Sequence, residues 1–200
     1  YLAAIRSIGR TEGYFYMPVF ESAAMIPPQT RREALTEVRA QLDTVSGSIL
    51  NIRVGGNDLS HAFGLRRPAN RTIYDLRPVA DILIDIVAAF GTQYVVSGPV
   101  WEYYSGEGWE EGLRREMELD LLNGFTGKTV IHPNQIPVVN EMLRVSQRDY
   151  ADARAILNWD TGSGSLVSAS EDGGRMNEYN THSRWARRIV LRAERYGVRA

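Results

Sequence analysis

The chain has 200 residues, 44% hydrophobic and 24% charged, with a formal net charge of −1. It is long enough for one domain with a sizeable core, and its near-neutral balance speaks against a nucleic-acid backbone as the main partner. It has no apolar run of about 18 residues to cross a membrane, no basic-then-apolar leader at its start, and no cysteine; the last point excludes disulfides, thiolate zinc and cysteine nucleophiles, and fits a cytoplasmic protein.

Residues 1–9 read as the end of a helix. "GYFYMPVFE" (13–21) is aromatic and β-prone and predicts a buried strand. "TRREALTEVRAQLDTV" (30–45) sets Leu35, Val38, Leu42 and Val45 at helical spacing. "SILNIRVGGND" (48–58) predicts a second strand running into a glycine turn. Residues 72–89 predict a helix with Ile82, Leu83, Ile86 and Val87 on its apolar face. "TQYVVSGPV" (92–100) reads as a third strand. "WEEGLRREMELDLLNGF" (109–125) reads as a charged amphipathic helix stopped at Gly124. "GKTVIHP" (127–133) reads as a fourth strand ended by Pro133, followed by a helix after its prolines. "SQRDYADARAILNW" (146–159) opens with Ser146 and Asp149 in a capping-box pattern. The stretch 160–176 is polar and glycine-rich, an exposed excursion or short hairpin, and "THSRWARRIVLRAERYGV" closes the chain as a basic amphipathic helix. No repeat of fixed period is present.

Strand and helix alternate four times, which predicts a parallel α/β sheet with right-handed crossovers. Functional groups in such sheets lie just beyond the C-terminal strand ends. Here those ends carry Glu21 and Ser22; Gly55, Gly56, Asn57 and Asp58; Ser97, Gly98 and Pro99, with Trp101 and Glu102 beyond; and His132 with Pro133. Glu21 and Asp58 form the sharpest pair. Two converging carboxylates with water suit Mg²⁺, a hard ion that favours oxygen and keeps positions open for substrate, and the glycines let backbone approach a ligand. The same residues would equally serve as a helix cap and a turn. Arg53 fits either a bidentate grip on a substrate carboxylate or phosphate, or an outward salt bridge. His132 fits either a general base or hydrogen-bond donor, or a structural position before proline. His61 and His182 sit on charged segments without an assigned role. No phosphate-binding glycine loop or nucleophile elbow occurs. Lys128 is the only lysine beside 22 arginines; it sits at the start of its strand, opposite the other candidates.

"YMPVFESAAM", "LNIRVGGNDLSHAFGLRR", "SGPVWE", "LLNGFTGKTVIHPNQIPVVNE" and "MNEYNTHSRWARRIVLRAERYGV" occur in an order that resembles the HpcH/HpaI aldolase and citrate lyase beta-subunit-like family, more narrowly its stress-response and tellurium-resistance-associated group of TIM-barrel C–C bond lyases. The block GF-x-GK-x-x-IHP-x-Q is the most specific part. The resemblance implies a (β/α)₈ barrel, with this chain supplying strands five to eight in residues 1–159, and residues 160–200 as a polar excursion and C-terminal helix suited to a neighbouring subunit through Trp185. It implies Mg²⁺ held by Glu21 and Asp58, with Arg53, Gly55, Gly56, Asn57, His132 and Pro133 about the substrate. It makes Lys128 a structural contact at the bottom of the barrel rather than an imine-forming nucleophile.

The activity implied is Mg²⁺-dependent carbon–carbon cleavage, retro-aldol or retro-Claisen, of a carboxylated oxo or hydroxy acid or its coenzyme A thioester. A malyl-type thioesterase or synthase on the same metal site, and a non-catalytic barrel subunit of a larger complex, are the alternatives. A homo-oligomer, trimeric or higher, is expected, with neither nucleic acid nor membrane as partner. A full barrel takes about 250 residues, so strands one to four, with a substrate-binding arginine, are expected upstream of Tyr1.

Overall fold

The computed structural model describes residues 13–160 and 167–199, which form two compact units divided between Val138 and Val139. The helix expected at residues 1–9 and part of the polar stretch, residues 161–166, lie outside the described residues.

In the first unit, β1 (Val19–Phe20), β2 (Arg53–Val54), β3 (Ser97–Gly98) and β4 (Gly127–Lys128) lie side by side, all parallel and in chain order. A bridge between Ile52 and Val96 joins β2 to β3. Helices separate the strands: α1 (Pro28–Asp43) follows β1, α2 (Gly56–Ala62) and α3 (Arg77–Phe90) both follow β2, and α4 (Trp109–Leu122) follows β3. This is the strand–helix order of four successive units of a TIM barrel.

The regular strands are shorter than the sequence predicts, although the extended runs do pair beyond them. Tyr16 N–H donates to Ser48 O, Arg53 N–H to Pro18 O, Gly55 N–H to Phe20 O, Thr126 N–H to Val96 O and Thr129 N–H to Gly98 O, at 2.8–3.1 Å. Pro18 and Pro99 have no N–H to give, so the ladder is broken on either side of the short paired segments.

Strand alternation separates two faces. Phe20, Ile52, Val54 and Val96 are buried in one core with Val79, Ile82, Leu83, Ile86 and Phe90 of α3 and Leu35 of α1. The α3 residues recur every three or four positions, which places them on one stripe of the helix. The other face carries Met17, Val19 and Val95, each 45–48% exposed.

Three boundaries differ from the sequence reading for local reasons. The second strand does not end in a glycine turn; Gly56 already opens α2, so Asp58 stands in the first turn of a helix. The helix expected from residue 72 begins as a 3₁₀ turn, Ile73–Asp75, closed by a reciprocal Thr72–Asp75 capping box, and only then becomes α3. The helix α4 stops as expected, with Gly124 at φ +96° and Phe125 N–H donating to Asp120 O at 3.0 Å.

A helix α5 (Gln135–Met142) spans the division. In the second unit, β5 (Val145–Ser146) pairs in parallel with a terminal strand, Val198–Arg199. The helix α6 (Gln147–Leu157) is capped by Ser146, whose Oγ accepts from Asp149 N at 3.1 Å. A hairpin of β6 (Val167–Ala169) and β7 (Met176–Glu178) leads into α7 (Tyr179–Tyr196), and the terminal strand is β8. Ala153 and Ile156 of α6 share a core with Ala186, Ile189 and Ala193 of α7, so this unit begins well before residue 160.

Ile82 is fully buried and Ile84 is 39% exposed on the same helix. Ile82→Ala is expected to lower unfolding free energy by about 2–5 kcal/mol, and Ile84→Ala by under about 0.5 kcal/mol, both read from urea titrations.

Candidate functional site

The registers align the strand ends. Phe20 is level with Val54 and Gly98 with Lys128, and the Ile52–Val96 bridge places Val54 and Gly98 on the same row. Glu21, Gly55, Pro99 and Thr129 therefore begin the next row, where the chain leaves the sheet. This corrects the expectation for Lys128. It is not at the far end of the sheet, because its regular strand is only Gly127–Lys128 and its partner Gly98 is the last residue of β3.

Glu21 is exposed, and its carboxylate lies directly against Gly55; any side chain at position 55 would collide with it. Gly56 has a different constraint. A Cβ there would stand 2.6 Å from both Ile73 and Pro99, so glycine lets the start of α2 seat between them. Asp58 is exposed, three residues beyond Gly55 in the first turn of α2. The structure thus brings Glu21, Gly55 and the Gly56–Asp58 turn together. The donor set fits Mg²⁺: carboxylate oxygens open to water, with the remaining positions left to water and substrate oxygen. No cluster of three or more acidic or imidazole side chains able to hold a metal occurs among the described residues.

Arg53 is half-buried between the buried Ile52 and Val54, and is paired in register with Val19, so it belongs to the face turned away from the helices. It makes no ion pair among the described residues, and the outward salt bridge is not found. Asn57 is tied down: its Oδ1 accepts from Arg67 Nη1 at 3.4 Å.

His132 and Pro133 belong to a second group. The His132 ring stacks on Tyr104 at 4.3 Å and 10°. Its Nδ1 accepts from Asn134 N at 3.2 Å, which leaves Nε2 to carry the proton in the neutral ring. Gln135, 1% exposed, binds the loop beyond β4 to the loop beyond β3. Its Nε2 donates to Trp101 O and Tyr103 O at 2.7 and 2.8 Å, while its Oε1 accepts from Ile131 N at 2.9 Å.

Beneath the strand ends is a dry charged cluster that sequence reasoning missed apart from its lysine. Lys128 Nζ lies 2.8 Å from Glu116 Oε1 and 2.7 Å from Asp120 Oδ2, and all three side chains are at most 2% exposed. Arg67, 1% exposed, has Nε 2.9 Å from Glu116 Oε2, and its guanidinium stacks over Trp101 at 5.1 Å. Tyr74 Oη donates to Asp120 Oδ1 at 2.7 Å. Burial pushes the Asp120 carboxyl above its ordinary range, against the pull of Lys128, and burial beside Asp120 raises the Tyr74 phenol as well. The available signal was the stripe of α4 itself, because Glu116 and Asp120 share a buried face with Leu113 and Met117.

A family model described as the C–C bond lyase of the TIM-barrel fold matches residues 1–198. The chain belongs to that family. Over 74 residues it is 38% identical to an L-malyl-CoA/beta-methylmalyl-CoA lyase of Cereibacter sphaeroides, a stretch that is 36% of this chain and 22% of the relative. It is similar to the crystal structure of the protein CitE from Mycobacterium tuberculosis in complex with magnesium, acetoacetate and coenzyme A, at 27% identity and a TM-score of 0.53, over 74% of this chain and 53% of CitE. It shares its fold with a citrate lyase from Burkholderia xenovorans, with a TM-score of 0.67 and 17% identity, over 99% of this chain and 58% of that one. The lyase-family chain therefore spans about half the length of these solved structures.

Removing one member of a buried ion cluster strands the charges that remain. Lys128→Met in this lyase-family chain is expected to lower stability by about 3–5 kcal/mol, and adding Asp120→Asn should recover part of that loss. Thermal and urea unfolding of the single and double variants checks both.

Proposed function

We propose that the protein is a Mg²⁺-dependent carbon–carbon lyase that cleaves a carboxylated oxo or hydroxy acid, or its coenzyme A thioester, by a retro-aldol or retro-Claisen route. The observation that carries this reading is the Glu21 carboxylate resting on Gly55, the residue before the first turn of α2 that carries Asp58. Support comes from the family match and from the CitE structure with magnesium, acetoacetate and coenzyme A.

Glu21 and Asp58 hold the metal. When bound, Mg²⁺ supplies a Lewis acid that stabilises negative charge on a substrate oxygen during bond cleavage. The protein's own groups orient the substrate. Arg53, on the same sheet face as Glu21, offers a planar fork to a carboxylate. The Asn57 side chain, fixed through its oxygen by Arg67, keeps its amide N–H groups for a substrate oxygen. His132, its Nδ1 already accepting a backbone N–H, offers Nε2–H as a donor. Gly55 leaves room for the Glu21 carboxylate beside the substrate, and Gly56 lets the start of α2 seat between Ile73 and Pro99. The buried Lys128 is occupied by two carboxylates, so imine chemistry is not assigned to it. The working protein is a homo-oligomer in this reading.

Calorimetry with Mg²⁺ on the wild type and on Glu21→Gln with Asp58→Asn tests the site. Binding in the wild type that disappears in the double variant is expected. A well-folded wild type with no Mg²⁺ affinity would overturn the reading.

A further inference from the structure

We propose that Arg67 is a positioning residue that fixes the Asn57–Asp58 turn to the far side of the site, through contacts that only a guanidinium can make. Its consequence for Mg²⁺ rests on the metal site proposed above; its effect on the turn itself does not. The Arg67 guanidinium has four partners in three different parts of the chain. Its Nη1 donates to Asn57 Oδ1 at 3.4 Å, in the first turn of α2. Its Nη2 donates to Val100 O at 2.6 Å, just beyond β3, and to Glu116 Oε1 at 3.2 Å, on α4. Its Nε is ion-paired with Glu116 Oε2, and its Cζ lies over the Trp101 ring, 5.1 Å from the centroid.

Glu116 extends the chain of contacts. Oε1 also receives Lys128 Nζ at 2.8 Å, and Oε2 accepts from Ile73 N at 2.7 Å, the residue that together with Pro99 encloses Gly56. The continuous route therefore runs from β4 through Lys128, Glu116 and Arg67 to Asn57, beside Asp58. Lys128, Glu116 and Arg67 are each at most 1% exposed, so the contacts among them are shielded from water and act in a low-dielectric setting, while half-buried Asn57 is the outer end of the route. A lysine at position 67 would conserve the charge opposite Glu116, but its single ammonium cannot reach in three directions from one plane or stack on the indole. That difference separates positioning from mere charge neutralisation.

The experiment is amide hydrogen exchange on the whole chain, by mass spectrometry, on the wild type, Arg67→Lys and Asn57→Ala, followed by Mg²⁺ calorimetry on each. Arg67→Lys is expected to speed exchange in residues 55–62 and 100–104 by about tenfold or more, the scale of one charge-assisted hydrogen bond, with residues 145–196 unchanged. Asn57→Ala, which spares the Arg67–Glu116 pair, is expected to speed exchange in residues 55–62 only. Both should weaken Mg²⁺ binding by about 10- to 100-fold, as loss of support behind a ligand does. Exchange in Arg67→Lys that matches the wild type would overturn the proposal. So would a uniform rise across residues 13–138 together with wild-type behaviour of Asn57→Ala. If the wild type itself binds no Mg²⁺, the metal reading fails, and the exchange pattern still decides the role of Arg67.

Discussion

The ammonium of Lys128, enclosed between Glu116 and Asp120, sets the spacing of the elements that surround the strand ends. Two cations and two carboxylates meet in a region closed to water: Lys128 and Arg67 against Glu116 and Asp120. Desolvating such ions is expensive, and mutual attraction offsets it only when the remaining lone pairs and protons also find partners. Here most of them do: Glu116 Oε2 takes the Ile73 N–H and Asp120 Oδ1 takes the Tyr74 hydroxyl, while the buried Arg67 Nε–H is ion-paired with Glu116 Oε2 without a hydrogen bond. The geometry in turn dictates small residues nearby. A Cβ at Gly98 would come within 2.5 Å of the Asp120 carboxylate, and one at Gly112 would run into Trp101 and the Ala69 carbonyl. Glycine at both positions lets α4 close on β3 and on the loop beyond α2, which is what brings its carboxylates to the lysine.

That cluster also explains why a chain otherwise committed to arginine uses one lysine. The position has two carboxylate oxygens within 2.8 Å of a single nitrogen and no exposed path for a longer head group. A compact ammonium fits between two acceptors on one helix, whereas a planar fork is wider and directs its donors outward. At Arg67 the demand is reversed: donors are needed toward Asn57, Val100 and Glu116, and the indole offers a flat face. The two basic residues share one carboxylate and are not interchangeable.

Much of the strand–helix order was legible, because apolar periodicity marks the α3 stripe and the buried strand residues directly. The proximity of Glu21 to the glycines before Asp58 was legible too, from the rule that parallel strands deliver their functional groups at one edge. Arg67 was not. In the sequence it is one of a pair of arginines before a proline, the pattern of a solvated loop, and nothing local distinguishes it from Arg66, which is exposed. Its burial depends on Glu116, 49 residues away. Glu116 and Asp120 were hidden by a related effect: acidic residues on an amphipathic helix are assigned to water unless their partners are known. The level of Lys128 was not legible either, since the run to Pro133 predicts a longer fourth strand, whereas the regular strand stops at Lys128 itself.

The face turned away from the helices links fold to chemistry. Met17, Val19 and Glu21 alternate along the first strand, and Arg53 lies beside Val19 in the second. The apolar members of this face are nearly half exposed here, whereas in an eight-stranded barrel such residues interdigitate with side chains from the opposite strands. The polar members, Glu21 and Arg53, sit at the upper rows of the same face. Whatever packs on Met17, Val19 and Val95 therefore also sets how much water reaches Glu21 and Arg53. A carboxylate and a guanidinium interact several-fold more strongly once the local dielectric falls from that of water toward that of a protein surface. In this architecture, closing the apolar layer and strengthening the electrostatics of the strand-end site are one event, because strand alternation places both sets of side chains on a single face.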